Sequence, residues 1–213
     1  MPTGRAEAFS DGVFAIAITL LVLSLRLPGQ GTLTTSRLLT AWPQYFAYVV
    51  SFLTIGIMWM NHHTMLAHVE RVDRPLLVLN LLLLMGIVAI PFPTVLVADN
   101  LTHRGAATVA VVTYGLVMIA ISVGFAGLWI YVATHSAALG SALPPEALRK
   151  SIPGFTGGLV AYVVATLIAR FFSALAALII FGLLAVYYLF EHLPSPAEKG
   201  PSEAGPGTAG SGA

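Results

Sequence analysis

A hydrophobic segment with an aspartate near its start constrains this chain more than any other feature. The segment runs from Arg5 to Leu27 and reads RAEAFSDGVFAIAITLLVLSLRL. From Phe9 onward it would measure roughly 28 Å as an α-helix, close to the hydrocarbon thickness of a bilayer. Asp11 lies inside this span, where an ionised carboxylate costs up to about 3 kcal/mol without a partner or water. The sequence therefore predicts a membrane helix whose aspartate needs a partner.

Composition indicates an integral membrane protein. Of the 213 residues, 57% are hydrophobic and only 9% are charged, whereas soluble domains carry roughly 25% charged residues. The absence of cysteine excludes disulfide and thiolate chemistry. A net charge of +1 gives no indication of a nucleic-acid partner, and we expect none.

Long apolar runs separated by short polar loops predict an all-α, polytopic fold, because backbone in lipid must be hydrogen-bonded internally. We expect six transmembrane helices at about residues 6–27, 38–62, 74–98, 105–134, 152–169 and 172–191. Pro91 and Pro93 should kink or end the third helix. Arg170-Phe171-Phe172 should form a tight hairpin tip between the fifth and sixth. Residues 1–193 then form one domain, and the Gly/Pro/Ser-rich tail at 194–213 is expected to be disordered.

The distribution of cationic residues favours cytoplasmic termini. Six crossings place both termini on one side of the membrane. That side holds six Lys and Arg residues against four on the other, a small bias in the direction of the positive-inside rule.

The first helix has two distinct faces when its residues are projected at the helical angle. Ile16, Leu20 and Leu23 fall on one stripe, with Thr19 on its shoulder; the residues that extend the stripe are Phe9, Val13 and Leu27. Asp11 points nearly to the opposite side. The stripe is consistent with lipid contact or ordinary helix packing, and Asp11 with a structural hydrogen-bond hub or a proton or cation site.

A short motif at the head of this helix resembles the signature of a known family. Arg5, Phe9, Ser10 and Asp11 spell RxxxFSD, followed by the apolar run GVFAIAITLLVL. Together with six apolar spans, this resembles the prokaryotic potassium channels of the transmembrane protein 175 family. The end of the second helix, Trp59 with Asn61-His62-His63, supports the resemblance.

The resemblance implies a homotetramer in which four copies of the first helix line a central pore. The narrowest point would be a ring of Ile16, followed by rings of Leu20 and Leu23, with Thr19 as a polar position linked to selectivity in some relatives. The family has no carbonyl filter, so a hydrophobic constriction that gates by dewetting is expected instead. The chain would then be a leak-type channel of the bacterial plasma membrane, whose partners are its own copies, the lipid bilayer and monovalent cations.

The resemblance also gives the motif a structural role. In relatives, the motif residues join a network with polar residues of neighbouring helices; direct contact of Asp11 with ions remains the alternative. The residues expected in this network are Arg5, Phe9, Ser10, Asp11, Asn61, His62 and His63.

Other chemistry has less support in the sequence. The spacing of His62, His63 and His68 is poor for a shared metal, so we expect no metal site and no cofactor. Trp42, Tyr45 and Trp59 are typical of interfacial anchors. No catalytic constellation is visible, and we expect no enzyme. A secondary transporter stays an alternative because of the Pro91 and Pro93 break, although no internal repeat is visible.

Overall fold

The computed structural model describes residues 3–26, 32, 34–141, 146 and 152–190, with side chains described for 157–188 in the last range. Within these residues the secondary structure is helical, with no β-strand, as the sequence predicts. The helices are α1 (Thr3–Leu20), α2 (Thr35–Thr40), α3 (Trp42–Ala67), α4 (Arg74–Val88), α5 (Pro91–Asn100), α6 (Ala106–Thr134), α7 (Ile152–Phe171) and α8 (Ala174–Phe190). A 3-10 turn, Leu21–Ser24, continues α1.

Four helical stretches are long and apolar enough to cross a membrane. They are Thr3–Ser24, Trp42–Ala67, Arg74–Asn100 and Ala106–Thr134. The described apolar parts of α7 and α8, Gly157–Phe171 and Ala174–Tyr188, are shorter. Membrane crossing by these last two helices therefore stays a prediction. The tail predicted at 194–213 and the last residue of the first and sixth predicted helices lie outside the described residues.

The third apolar stretch is divided at its prolines. α4 ends at Val88 and α5 begins at Pro91, because proline lacks an N–H and its ring clashes with the preceding turn. This confirms the break expected from Pro91 and Pro93. Just beyond it, the Thr94 hydroxyl lies 2.8 Å from the Ser51 hydroxyl of α3. A buried polar contact thus connects the broken helix to its neighbour.

The α7–α8 pair forms the expected tight hairpin. α7 ends at Phe171 and α8 begins at Ala174. The Ser173 hydroxyl accepts a hydrogen bond from the Ala176 amide at 3.2 Å and so caps the start of α8. The Arg170 guanidinium lies 5.4 Å from the Phe171 ring centroid, a cation–π distance.

α6 lies at the centre of the bundle and packs against α4, α5, α7 and α8, whereas α1 packs at one side, against α3 and α4. α6 and α7 approach closely at Gly115, where an added β-carbon would overlap the Thr166 hydroxyl. The 3-10 turn after α1 lies against α3 and α5. One side of α1 therefore faces the bundle, and its other side has no neighbour among the described elements.

The start of α4 is held by Asp73. Its carboxylate accepts hydrogen bonds from the Leu76 amide at 3.0 Å and from the Tyr131 hydroxyl of α6 at 2.5 Å. Burial favours the neutral carboxyl, but these hydrogen bonds outweigh it and hold the pKa of Asp73 below its ordinary value. The cap fixes where α4 begins and thus the position of Asn80, two turns further on.

Candidate functional site

Ser10 lies at the centre of a buried polar chain that joins three helices. Its hydroxyl donates to the Ala6 carbonyl at 2.8 Å and accepts from Nδ2 of Asn80 at 3.0 Å. Oδ1 of Asn80 lies 2.7 Å from Nε2 of His62. Since an amide oxygen only accepts, this contact assigns the proton to Nε2 of His62. All three side chains are buried, so the chain fixes α1 against α4 and α3.

The His62 ring also contributes apolar packing. It lies 5.3 Å from the Phe14 ring, centroid to centroid. Nδ1 of His62 is buried and has no hydrogen-bond partner among the described residues. An unpaired buried polar group costs about 1–3 kcal/mol, and loss of the hydrogen bond to Asn80 would leave both ring nitrogens of His62 without a partner among the described residues.

Asp11 is paired with Trp59, not with Arg5. The indole Nε1 of Trp59 in α3 donates to Oδ1 of Asp11 at 2.8 Å. Arg5 is exposed, and no ion pair joins it to Asp11 in the described part of the chain. A second contact lies one turn nearer the N-terminus, where Oε1 of Glu7 is 2.7 Å from Nδ1 of His63. Two side-chain contacts, one helical turn apart, thus connect the first turns of α1 to α3.

The opposite face of α1 is exposed and mostly aliphatic. Ile16 is 58% exposed, Leu20 38% and Leu23 59%. Thr19 is exposed beside them, and its hydroxyl donates to the Ile16 carbonyl of the same helix at 2.9 Å. We call Ile16, Thr19, Leu20 and Leu23 the α1 stripe.

The two faces of α1 differ sharply in burial. Phe14, Ala17 and Leu21 are at most 1% exposed and face the bundle. Only 28% of the α1 span is buried within the chain, against 44–50% for the other three spans. Among the four candidate spans, the first is the least covered by its own chain and is the one with most surface left for another partner.

The structure brings together some of the predicted network residues and leaves others apart. Ser10, Asp11, His62 and His63 all make contacts between helices, as described above. Phe9 and Arg5 are exposed, and the half-buried Asn61 makes no side-chain hydrogen bond within the described residues.

Of the residues predicted to extend the stripe, one packs into the core and one cannot be assessed. Val13 packs against the core, because the helix turns it toward α3 and α4. Leu27 lies outside the described residues. The stripe is therefore narrower than the projection at the helical angle suggests.

Three network residues were not predicted. They are Asn80, Glu7 and Trp59, the last of which was predicted as an interfacial anchor. For Asn80 a signal existed, since it is a lone amide within the apolar run LLVLNLLLLMGIV, and polar side chains inside membrane helices usually bond another helix. Among the described residues, no group of three His, Asp or Glu side chains could hold a metal ion.

A bundle of long apolar helices, bonded through buried polar side chains at the head of its first helix, defines a polytopic membrane protein. Residues 5–91 match the family model described as the endosomal/lysosomal potassium channel TMEM175. A protein of Streptomyces collinus named a potassium channel is 44% identical over 200 residues, which cover 92% of this chain and 96% of that one. The chain belongs to the TMEM175 family.

Other relatives agree with this assignment. The crystal structure of a lysosomal potassium-selective channel TMEM175 homologue from Chamaesiphon minutus superposes with a TM-score of 0.77 at 38% identity, covering 88% of this chain and 96% of that one. A Bos taurus relative, named an endosomal/lysosomal proton channel, is 38% identical over 98 residues. This chain matches only 20% of that protein's length.

Proposed function

We propose that this protein is a potassium-permeable cation channel that conducts passively through a central pore lined by α1. The pore is formed by a homotetramer, and its constriction by rings of Ile16, Leu20 and Leu23, with Thr19 as the polar position. The observation that carries the proposal is the exposed α1 stripe, which lies opposite the face bonded to α3 and α4. The potassium-channel names of the bacterial relatives support the choice of ion.

The division of α1 into two faces fits a pore helix better than a lipid-facing helix. A lipid-facing helix needs no hydrogen bonds to fix its rotation, because any apolar surface suits the acyl chains. Here Glu7, Ser10 and Asp11 each contact a neighbouring helix and set the rotation of α1. A fixed rotation is required if the same four side chains of each copy are to meet around one axis.

The proposed constriction works through solvent exclusion. Narrow aliphatic rings expel water, and a cation cannot enter a dry ring without losing its hydration. Widening the rings enough to wet them restores conduction. Preference for potassium over sodium then arises because dehydration costs more for the smaller ion, which gives modest selectivity.

A carbonyl filter is not part of the proposal. The sequence Val112-Thr113-Tyr114-Gly115 faintly resembles such a filter, yet it lies inside α6. Tyr114 is buried, and its hydroxyl accepts a hydrogen bond from Ser51 at 3.2 Å. The backbone carbonyls of this helical segment accept intrahelical hydrogen bonds and point along the helix axis, so they do not form a ring directed at an ion path.

The motif network holds the pore helix in place and does not bind the permeant ion. Asp11 is directed to Trp59, away from the α1 stripe. In the membrane, six crossings place both termini in the cytoplasm, and the channel belongs to the bacterial plasma membrane. The contacts of Ser10 and Asp11 then lie near the cytoplasmic side, and Leu23 near the opposite side.

Potassium flux from liposomes tests the proposed function. Purified protein should release trapped K⁺ down its gradient, at a rate linear in concentration and without a second ion. The alternative is a secondary transporter, which the broken α4–α5 helix keeps open because transporters use discontinuous helices at binding sites. Saturable flux that requires a gradient of another species would favour that alternative, and absence of K⁺ flux would refute the channel.

A further inference from the structure

Arg26 is the first charged residue beyond the α1 stripe. Its Nε donates to the Leu23 carbonyl at 3.2 Å. Arg26 is exposed, and Leu23 is 59% exposed on the stripe itself. The hydrogen bond therefore holds a guanidinium beside the last aliphatic position of the stripe.

No carboxylate in the described part of the chain neutralises this guanidinium. Within the described residues, no Asp or Glu lies within ion-pair distance of Arg26. The loops at the same end of the predicted spans carry four arginines, Arg26, Arg37, Arg104 and Arg170, and only one acidic residue, Asp99. Because a guanidinium stays protonated at every physiological pH, the positive charge at this end is permanent.

We propose that four copies of Arg26 form a ring of fixed positive charge at the mouth of the pore, and that this ring limits cation entry from that side. The inference rests on the proposed function, since it requires α1 to line a tetrameric pore. Fixed charge at a narrow mouth changes the local concentration of ions. A positive ring depletes K⁺ at the end carrying Arg26, so current entering from that end is smaller than current entering from the other.

A purely structural role for Arg26 is the competing explanation. A cationic side chain near the C-terminal end of a helix stabilises the last carbonyls and the helix dipole. That role concerns folding, and it gives no reason for the current to rise or fall with the sign of the charge at position 26. The proposed ring should make the current depend on salt concentration. The Debye length falls from about 10 Å at 0.1 M salt to about 3 Å at 1 M, so the ring's charge is screened at high salt.

The chain offers a clean test because it contains no cysteine. Arg26→Cys introduces a single thiol, which membrane-impermeant methanethiosulfonate reagents of either charge can modify from one side of an excised patch. Arg37→Cys is the matched control. Arg37 lies in α2 at the same end and donates to the Thr32 carbonyl at 3.1 Å, but it is not on α1.

The ring predicts opposite effects of the two reagents on Arg26→Cys. In about 50 mM KCl the anionic reagent should raise current entering from the Arg26 side about two- to fivefold above wild type, and in about 1 M KCl the rise should be less than about 1.5-fold. The cationic reagent should restore wild-type current. Both reagents should leave Arg37→Cys within about 20% of wild type, because Arg37 lies in α2 and not on the proposed pore helix.

The possible results test the Arg26 ring and the proposed channel function separately. If wild-type protein conducts K⁺ and both reagents affect Arg26→Cys equally, the ring is refuted while the channel stands. If wild-type protein carries no K⁺, the proposed function fails and the ring fails with it. Arg26→Lys keeps the charge, so it should retain wild-type current. If the current of Arg26→Lys rose as much as that of Arg26→Cys treated with the anionic reagent, the ring would be refuted.

Discussion

At the scale of single residues, α1 carries polar side chains that contact other helices on one face and exposed aliphatic side chains on the opposite face. Ser10 and Asp11 contact Asn80 and Trp59 of other helices. Ile16 and Leu23 remain exposed on the other face. Each polar group inside the span thus has a partner, and the energetic cost of placing an aspartate in a membrane helix is offset by a charge-assisted hydrogen bond.

Asp11→Ala should impair assembly more than ion preference. Loss of the hydrogen bond to Trp59 is expected to destabilise the packing of α1 on α3 by about 1–2 kcal/mol. We expect a lower tetramer yield on size-exclusion chromatography and an unchanged K⁺/Na⁺ permeability ratio. Asp99→Ala, which removes an exposed carboxylate at the end of α5, is the control. A well-assembled Asp11→Ala tetramer with altered ion preference would assign the carboxylate to the ion path.

Ile16→Asn should raise conductance and weaken discrimination between K⁺ and Na⁺. An amide side chain hydrates the proposed constriction, so the dry state becomes less stable. Single-channel recording in planar bilayers measures both quantities. Val123→Asn, at an exposed apolar position of α6, should leave both unchanged. Identical currents from Ile16→Asn and wild type would place the constriction elsewhere.

Four of the seven residues expected in the network make contacts between helices, and none of their partners was predicted. RxxxFSD and NHH indicated Ser10, Asp11, His62 and His63 through a family resemblance, and all four contact other helices. The partner of Ser10 could not be predicted, because Asn80 meets it only through the packing of α4 on α1, 70 residues away in sequence. Arg5 was expected in the network from its motif position, yet nothing in the spacing fixes where a long flexible side chain goes.

At the scale of helices, apolar runs and breakers predicted an all-helical chain and the positions of two helix breaks. Pro91 and Pro93 divide the third span as expected, and the tip that closes the α7–α8 hairpin is Phe172-Ser173, slightly beyond the predicted Arg170-Phe171-Phe172. Close approach between helices was not predictable, because it depends on which small residue meets which neighbour. Gly115 shows this, since only the packing of α7 places Thr166 against it.

Gly115→Ala should destabilise the bundle. The new methyl group would overlap the Thr166 side chain, and overpacking of this kind costs about 1–3 kcal/mol. Gly127→Ala in the same helix is the matched control, since nothing lies within 4 Å of its added β-carbon. There, alanine's helix propensity should leave stability equal or raise it by up to about 1 kcal/mol. Thermal unfolding in detergent compares the variants, and equal midpoints would contradict the close α6–α7 contact.

At the scale of the whole molecule, the α1 stripe of one chain cannot by itself surround an ion path. Symmetric assembly brings identical stripes together around an axis, which is how most homo-oligomers close. The low burial of the α1 span within its own chain is consistent with this requirement. In the proposed channel, the spans beyond α1 form the scaffold around the pore helices.

The mass of the solubilised particle tests this assembly. Four chains of 22.4 kDa give about 90 kDa of protein. Light scattering with subtraction of bound detergent measures that mass directly. A particle with the mass of one chain would leave the α1 stripe facing lipid and would remove the proposed pore.

The hydrogen bonds of α1 are unevenly distributed along its length. Within the described part of the chain, side-chain contacts from α1 to other segments come from Thr3, Glu7, Ser10 and Asp11. Further along, the hydroxyls of Thr19 and Ser24 and the guanidinium of Arg26 donate to carbonyls of their own segment and, among the described residues, to no other helix. The side-chain contacts that hold α1 to the bundle are therefore concentrated at its N-terminal end. Its far half, which carries Ile16, can tilt without breaking any side-chain hydrogen bond to another helix.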